Sequence, residues 1–401
     1  MYSKSFIPYG GYFTSPFARW QGSLQSEHPV ELVAATAKRW LASKKFDPKM
    51  FDYCFLGKTV TQRHTFYAAQ WAAALMGNPD ISALYISQAC TTSVTVLNQA
   101  TVGTECGLYS NTFCLMTDRV SNGPHSIWPN PMGQGGQVTV ENWVLDNFAF
   151  DPWGQVPMIE TAENVAKLTK GGVTKEQCDA VTLKRYEQYT DALANNRAFQ
   201  KRYMFPVEFK KGKKEIGVLE ADEGITPTTK EGLAKLQPVV PGGVLTFGSQ
   251  THPADGNCGV IVTTREKAKS LSADPKVEVQ ILSYGYARAP KACMAMAPVP
   301  ATKMALEKAG LDIRDIKAIK THNPFVVNDV YFGGEFGIDP LGEIMNNYGS
   351  SIIFGHPQAP TAGRLIIELI EEMVLKGGGY GMFAGCAAGD TGAAMILKVT
   401  C

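Results

Sequence analysis

Apolar side chains between residues 30 and 117 follow two alternating rhythms. Residues 30–43 carry them at helical spacing, residues 51–57 as a short run, and residues 65–76 again at helical spacing in an alanine-rich stretch. Residues 83–87 (ALYIS) predict a strand that runs into Cys90 and a helix-like segment to residue 102, and residues 113–117 predict another buried strand. Strands separated by helical patterns imply crossover connections, and with them a largely parallel sheet.

The rhythm breaks from about residue 119 to residue 245, where loops rich in Pro, Gly, Asn and Trp surround one helical stretch and a basic, hairpin-like run. Thr174 and Gln177 have the spacing of a capping box for a helix running towards Asn195. The alternation returns with expected strands at 258–264, 277–286 and 316–321 and a helix at 301–310. Leu365, Ile366, Leu369, Ile370, Met373 and Val374 mark one face of a further helix, and strands at 381–386 and 393–399 close the chain. The expectation is an α/β protein of three parts. An N-terminal half spans 1–118 and is completed by about 246–270, an insertion spans 119–245, and a C-terminal half spans 271–401. No internal sequence repeat links the halves.

Composition narrows the class. A chain of 401 residues with 45% hydrophobic and 19% charged residues has material for large cores, and a net charge of +1 gives no global field for nucleic acid or membrane. The N-terminal residues are broken by Pro8, Gly10, Gly11 and Pro16 and lack a signal-peptide core, and no run is apolar enough to span a bilayer. Nine cysteines without any CxxC pair fit neither a disulfide scaffold nor a structural zinc site. The expectation is a cytoplasmic enzyme with no resident metal.

Cys90 sits where a strand hands over to a helix. Free N–H groups at a helix start favour a thiolate and receive an oxyanion, so a lowered thiol pKa is expected there; an inert buried cysteine is the competing reading. Three later clusters supply partners. His322 follows the strand at 316–321, His356 lies in the Gly355/Pro357 turn, and Cys386 ends an apolar strand ahead of a small-residue loop. Ends of strands are where α/β proteins assemble sites.

Together these segments resemble the thiolase family. AC-x-x-S at Cys90, HNPF at His322, GHP at His356 and CAAG at Cys386 occur in the family's order and spacing, with TAENVA at 161–166 and TPTTKEGLAKLQP at 226–238. The resemblance implies the thiolase fold, two stacked α/β halves in five layers with an inserted loop domain that binds coenzyme A. It implies thiolytic cleavage of a 3-oxoacyl-CoA, or the reverse condensation. Cys90 would be the acylated nucleophile, His356 its base, Cys386 the acid/base for the carbanion, and His322 would stand where the family has asparagine. Backbone N–H groups of Cys90 and Ala388 would hold oxyanions, and Ser249, Thr251, Met158 and Met294 would contact coenzyme A, a substrate rather than a permanent cofactor. A homodimer or homotetramer is implied, and for some members a small zinc-binding OB-fold partner.

Several positions depart from the family pattern: Pro157 before Met158, Ala388 for a glycine, Thr251 for a serine, and Thr226 for an arginine. They point to an altered acyl pocket, for a bulky or aromatic substrate such as benzoylsuccinyl-CoA. Trp128, Trp143, Phe148, Phe150 and Trp153 in the insertion either line that pocket or pack in a core or interface. The run Phe209–Lys214 reads as a solvated basic hairpin or a phosphate contact, and Cys54, Cys106, Cys114, Cys178, Cys258, Cys293 and Cys401 read as structural. Two alternatives stay open: another condensing enzyme of the superfamily, which has no use for Cys386, and a non-catalytic thiolase-like subunit.

Overall fold

Nine strands lie side by side along one hydrogen-bonded path in this computed structural model, which describes residues 1–211 and 215–401. In chain order they are β1 (Ser5–Pro8), β2 (Tyr53–Gly57), β3 (Ala83–Ile86), β4 (Asn111–Arg119), β5 (Ala254–Thr264), β6 (Glu278–Arg288), β7 (Ile316–His322), β8 (Gly379–Ala387) and β9 (Thr391–Thr400). Their spatial order is β7-β8-β9-β6-β1-β5-β4-β2-β3. The short β1 joins the two halves, pairing antiparallel with β5 on one side and β6 on the other.

The helices that matter for the site are α1 (Pro29–Lys44), α2 (Ala68–Met76), α3 (Thr92–Glu105), α4 (Met158–Leu168), α5 (Lys175–Arg197), α6 (Pro298–Ala309), α7 (Val327–Phe336) and α8 (Ala359–Leu375). Period-two alternation sorts the strand side chains between layers. Cys54, Leu56, Phe113, Leu115 and Ile261 pack under α1 and α2, whereas Phe55, Cys114, Met116, Val260 and Val262 face the opposite way. In the other half Leu282, Met382, Ala384 and Ile396 pack under α6, while Ile281, Phe383, Met395 and Leu397 face inward. Helices α3 and α8 fill the space between the inner faces, so five layers result. Every residue of α8 from Ala359 to Met373 is buried, as a helix sandwiched between sheets requires.

The expected strands and helices occur with ends shifted by a few residues, but the largely parallel sheet does not. Only β7–β8, β4–β2 and β2–β3 are parallel; the other neighbours on the path are antiparallel. Segment rhythm does not distinguish a crossover from a tight return, and β8 turns directly into β9. Strand β1 is missing from the sequence reading because Pro8 and the glycines after it disguise a four-residue run.

Residues 119–245 are pinned to the rest of the fold by buried ion pairs. Arg364 on α8 makes two bonds to Asp222, at 2.7 and 2.8 Å, and a third to Glu368 at 2.9 Å. Arg185 on α5 reaches Asp329 at 2.9 Å, both side chains fully buried. Such charges persist in a core only when paired and hydrogen-bonded. The capping box is present at Thr174 and Gln177, and α5 loses helical geometry at Ala194–Asn196. Strands Val207–Lys211 and Glu215–Leu219 pair antiparallel, the first holding Phe209–Lys211 of the basic run; residues 212–214 fall outside the described part.

Candidate active site

Strand β3 and helix α3 are joined by a single tight turn, Ala89–Thr91, which carries Cys90. Ala89 adopts φ +44°, a conformation an L-residue takes only at a cost of about 1–2 kcal/mol. Thr92 holds this elbow: its hydroxyl accepts from Gln88 N–H at 2.8 Å and donates to the Ala89 carbonyl at 2.7 Å. Cys90 is buried, with 6% of its surface exposed.

His356 arrives from the other half. Its backbone N–H donates to the His252 carbonyl at 2.8 Å, and it follows Gly355, whose φ is +86°. A Cβ at Gly355 would lie 2.7 Å from His252 Cε1, so only glycine fits this approach. His322 ends β7 in register with Gly385 of β8, the residue before Cys386. The two histidine rings are tilted by 35° with centroids 4.2 Å apart. Cys90 Sγ and one nitrogen of each ring all lie within 4.8 Å of one another. Cys386 is fully buried and accepts a bond from Asn328 Nδ2 on α7 at 3.2 Å.

Burial governs the charges. It pushes the Cys90 thiol up to about 12, although the N–H groups of Ala388 and of Cys90 itself pull the other way. The lowered pKa expected from the helix start is therefore overturned: loss of water costs the thiolate more than those dipoles return. Burial also raises Cys386, with the neighbouring Cys90 adding to it. It lowers His322 to about 3 and His356 well below its ordinary value, the latter further through His322. The resting site is a neutral thiol beside neutral imidazoles.

Which nitrogen of His322 carries the proton follows from a chain of hydrogen bonds. The Asp329 carboxylate, held by Arg185, only accepts, so Asn323 turns its Nδ2 towards it at 2.7 Å. Asn323 Oδ1 then accepts from Ser351 Oγ at 3.1 Å, which spends that hydroxyl's one proton. Ser351 Oγ must accept from His322 Nδ1 at 3.0 Å, so Nδ1 is protonated and Nε2 is a bare lone pair. His356 Nδ1 is held by Thr361 Oγ1 at 2.6 Å. Neither Nε2 has a hydrogen-bond partner among the described residues.

The remaining expected residues divide. Met158 and Met294 are buried together in the central cluster. The turn of Met294 is tied to the loop after Cys386 by Asp390, which accepts from Ala292 and Cys293 N–H at 2.9 and 3.0 Å. Thr251 is partly exposed but donates to the Ser351 carbonyl at 2.5 Å. Ser249 is fully buried, and its hydroxyl is used within its own turn, where it accepts from Thr246 N–H at 2.7 Å. Trp128, Phe148, Phe150 and Trp153 are exposed, Trp153 under Arg288 and Lys291, whereas Trp143 packs on Val60, Val120 and Val144. Cys106 and Cys401 are exposed rather than structural.

Four neighbours were not legible in the sequence: Gln358, Asn328, Ser351 and Asp118. Gln358 Oε1 lies 3.5 Å from Cys90 Sγ. Asp118, buried at the end of β4, accepts from the N–H groups of Thr59, Val60 and Ala359, and so anchors the start of α8 next to Gln358.

The thiolase N-terminal domain model matches residues 12–266 and the thiolase C-terminal domain model residues 275–399. The mitochondrial 3-ketoacyl-CoA thiolase of Homo sapiens is 28% identical over 394 residues, covering 96% of each chain. An acetyl-CoA acetyltransferase of Pseudomonas aeruginosa is 27% identical over 380 residues, covering 94% of this chain and 95% of that one. A crystal structure of human mitochondrial 3-ketoacyl-CoA thiolase in complex with CoA superposes with a TM-score of 0.89 at 26% identity, covering 99% of this chain and 98% of the other.

Proposed function

The chain belongs to the thiolase family, and from that premise we propose that it cleaves a 3-oxoacyl-CoA through an acyl-Cys90 intermediate. It is an acyltransferase of the thiolase type. The observation that carries the reading is the meeting of Cys90, His322 and His356 within 4.8 Å, with Cys386 close enough to Cys90 for its thiol to feel the other.

Because the thiol is neutral at rest, the proton leaves as the sulfur attacks. Cys90 Sγ bonds to C3 of the substrate while His356 Nε2 takes its proton. The oxyanion so formed accepts a hydrogen bond from the imidazolium and keeps the charge that its collapse needs. A water donating one hydrogen to the bare Nε2 of His322 would offer its second to the same oxygen. The C2–C3 bond then breaks, and the electron pair leaving with C2 takes a proton from Cys386. The N–H groups of Cys90 and Ala388 would support the oxygen of the acyl-enzyme as the thiol of coenzyme A, giving its proton to the Cys386 thiolate, attacks the thioester; Cys90 leaves and recovers its proton from the His356 imidazolium. Met158 and Met294 supply apolar walls. Asn328, by donating to Cys386, favours its thiolate once the proton has gone.

The proposed substrate is a bulky or aromatic 3-oxoacyl-CoA, benzoylsuccinyl-CoA among them. Pro157, Ala388 and Thr251 at altered positions support it, as does Trp153 standing near the loop after Cys386 under Arg288, which itself bonds the Gly389 carbonyl at 3.1 Å. A homo-oligomer, with a small zinc-binding partner for such substrates, completes the proposal. The cytoplasm is the proposed compartment; among the described residues, no helix is long and apolar enough to cross a membrane.

The test is mass spectrometry of the chain incubated with a panel of thioesters. An acyl adduct on the Cys90 peptide that free coenzyme A discharges is the expected result. No adduct with any thioester would overturn the catalytic reading, and acetoacetyl-CoA outperforming every bulky substrate would overturn the specificity.

A further inference from the structure

The geometry points to a second use of the same three side chains: Cys90 Sγ, His322 Nε2 and His356 Nε2 form a capture site for a thiophilic divalent cation, Zn2+ above all, which blocks the nucleophile reversibly. The inference goes beyond the acyl-transfer reading and does not depend on it, because capture needs only the resting side chains.

Three observations carry it. The donor atoms of a cysteine and two histidines lie within 4.8 Å of one another, and all three residues are buried. A tetrahedral Zn2+ site with nitrogen at about 2.0–2.1 Å and sulfur at about 2.3 Å sets its ligand atoms about 3.3–3.6 Å apart, so shifts of about an ångström close the set. Secondly, the orphaned atoms are the right ones. Both Nε2 atoms lack a partner among the described residues, and that of His322 is a lone pair by the hydrogen-bond chain through Ser351, Asn323 and Asp329. Thirdly, the outer nitrogens are already fixed, His322 Nδ1 on Ser351 and His356 Nδ1 on Thr361 at 2.6 Å. A held outer nitrogen orients a ligating imidazole and is commonly found in metal sites.

One sulfur and two imidazoles favour Zn2+ or Co2+ over the hard cations, which prefer oxygen. The bookkeeping is simple: the cation takes the sulfur lone pair, the thiol proton leaves to solvent, and nothing is oxidised or reduced. The three protein ligands leave a fourth position, which a water fills. With the cation on the sulfur, its nucleophilicity falls and the space beside it that the substrate carbonyl needs is filled, and an acylated Cys90 has no thiolate for the cation. Metal and acyl group therefore exclude each other.

The probe is Co2+ added to the purified, tag-free chain, followed by absorbance. The expected result is one Co2+ per chain with a sulfur-to-cobalt charge-transfer band in the near ultraviolet. Cys90→Ser abolishes the band, and His322→Asn weakens the affinity at least tenfold. A band that survives Cys90→Ser, unchanged affinity in His322→Asn, or no stoichiometric binding overturns the proposal. Should a variant fail to fold, the wild-type chain still decides: one equivalent of Zn2+ is expected to slow alkylation of Cys90 by iodoacetamide at least tenfold, with the rate restored by EDTA. No protection overturns the site. A chain that acylates Cys90 yet shows neither band nor protection loses this site and keeps its activity, and the converse result separates the two in the other direction.

Discussion

Gln358 Oε1 stands 3.5 Å from Cys90 Sγ, and Gln358 reaches it from a backbone with φ 60° and ψ −102°. A backbone held in a sparsely populated conformation beside a reactive sulfur points to a role for that residue. The amide oxygen accepts from the thiol, and the same side chain favours protonated His356. Its bond to the thiol steadies the resting proton, while its support of the imidazolium favours the transfer. Gln358→Leu is expected to slow acylation of Cys90 about 3–10-fold, the worth of one hydrogen bond of about 0.5–1.5 kcal/mol, with KM little changed. Burst kinetics of acyl-enzyme formation measure it; an unaltered burst rate would leave Gln358 a packing residue.

The neutral resting pair predicts how Cys90 reacts in the absence of substrate. With the thiol at about 12, the thiolate fraction, and so the rate of alkylation, should rise about tenfold per pH unit between about pH 7 and 9 without levelling. Peptide mapping after brief iodoacetamide pulses reads it. A plateau starting near pH 7 would mean a thiolate–imidazolium pair instead.

Asp118 gives stability a pH dependence of defined sign. Burial raises its carboxyl to about 6, with Lys58 and the N–H donors of Ala359 and Val60 opposing. The unfolded value is about 3.9, so the fold binds the proton more tightly than the unfolded chain does. This contribution is complete below about pH 4 and is lost as pH rises through about 6. Between those limits the wild type should lose on the order of 3 kcal/mol relative to Asp118→Asn, which has no proton to lose. Urea titrations of both chains from pH 4 to 7 test this; parallel curves would refute it.

His322 should be protonated at Nδ1, since Asp329, Asn323 and Ser351 admit one arrangement of donors. Nitrogen NMR of chain labelled at histidine is expected to show a protonated Nδ1 and a bare Nε2 at pH 7. The reverse tautomer would break the chain of inference from Asp329.

Removing the anchor of that chain should be costly. Asp329→Ala leaves Arg185 charged and without its carboxylate in the core, an arrangement worth about 3–5 kcal/mol of lost stability. Thermal and urea unfolding measure the loss; a change below about 1 kcal/mol would mean that Arg185 had found water.

Local patterns placed most of the elements and picked out the side chains proposed to react. Spacing placed α8 through Leu365, Ile366, Leu369 and Ile370, and capping chemistry marked the start of α5 at Thr174. Cys90, His322, His356 and Cys386 were legible because each ends a strand or occupies a turn in a recognisable motif. Those signals are local, and chain order preserves them. Tertiary structure decided the rest. The sheet's mixed direction depends on which strand each turn returns to, which periodicity does not encode. The charge on Cys90 was misread from its helix start because burial is a property of the whole fold. Gln358, Asn328 and Asp118 entered the site only when segments distant in sequence met: Asp118 reaches Ala359 across 241 residues, and Asn328 reaches Cys386 across 58. A motif names an atom that can react, whereas its protonation and its partners are set by what packs around it.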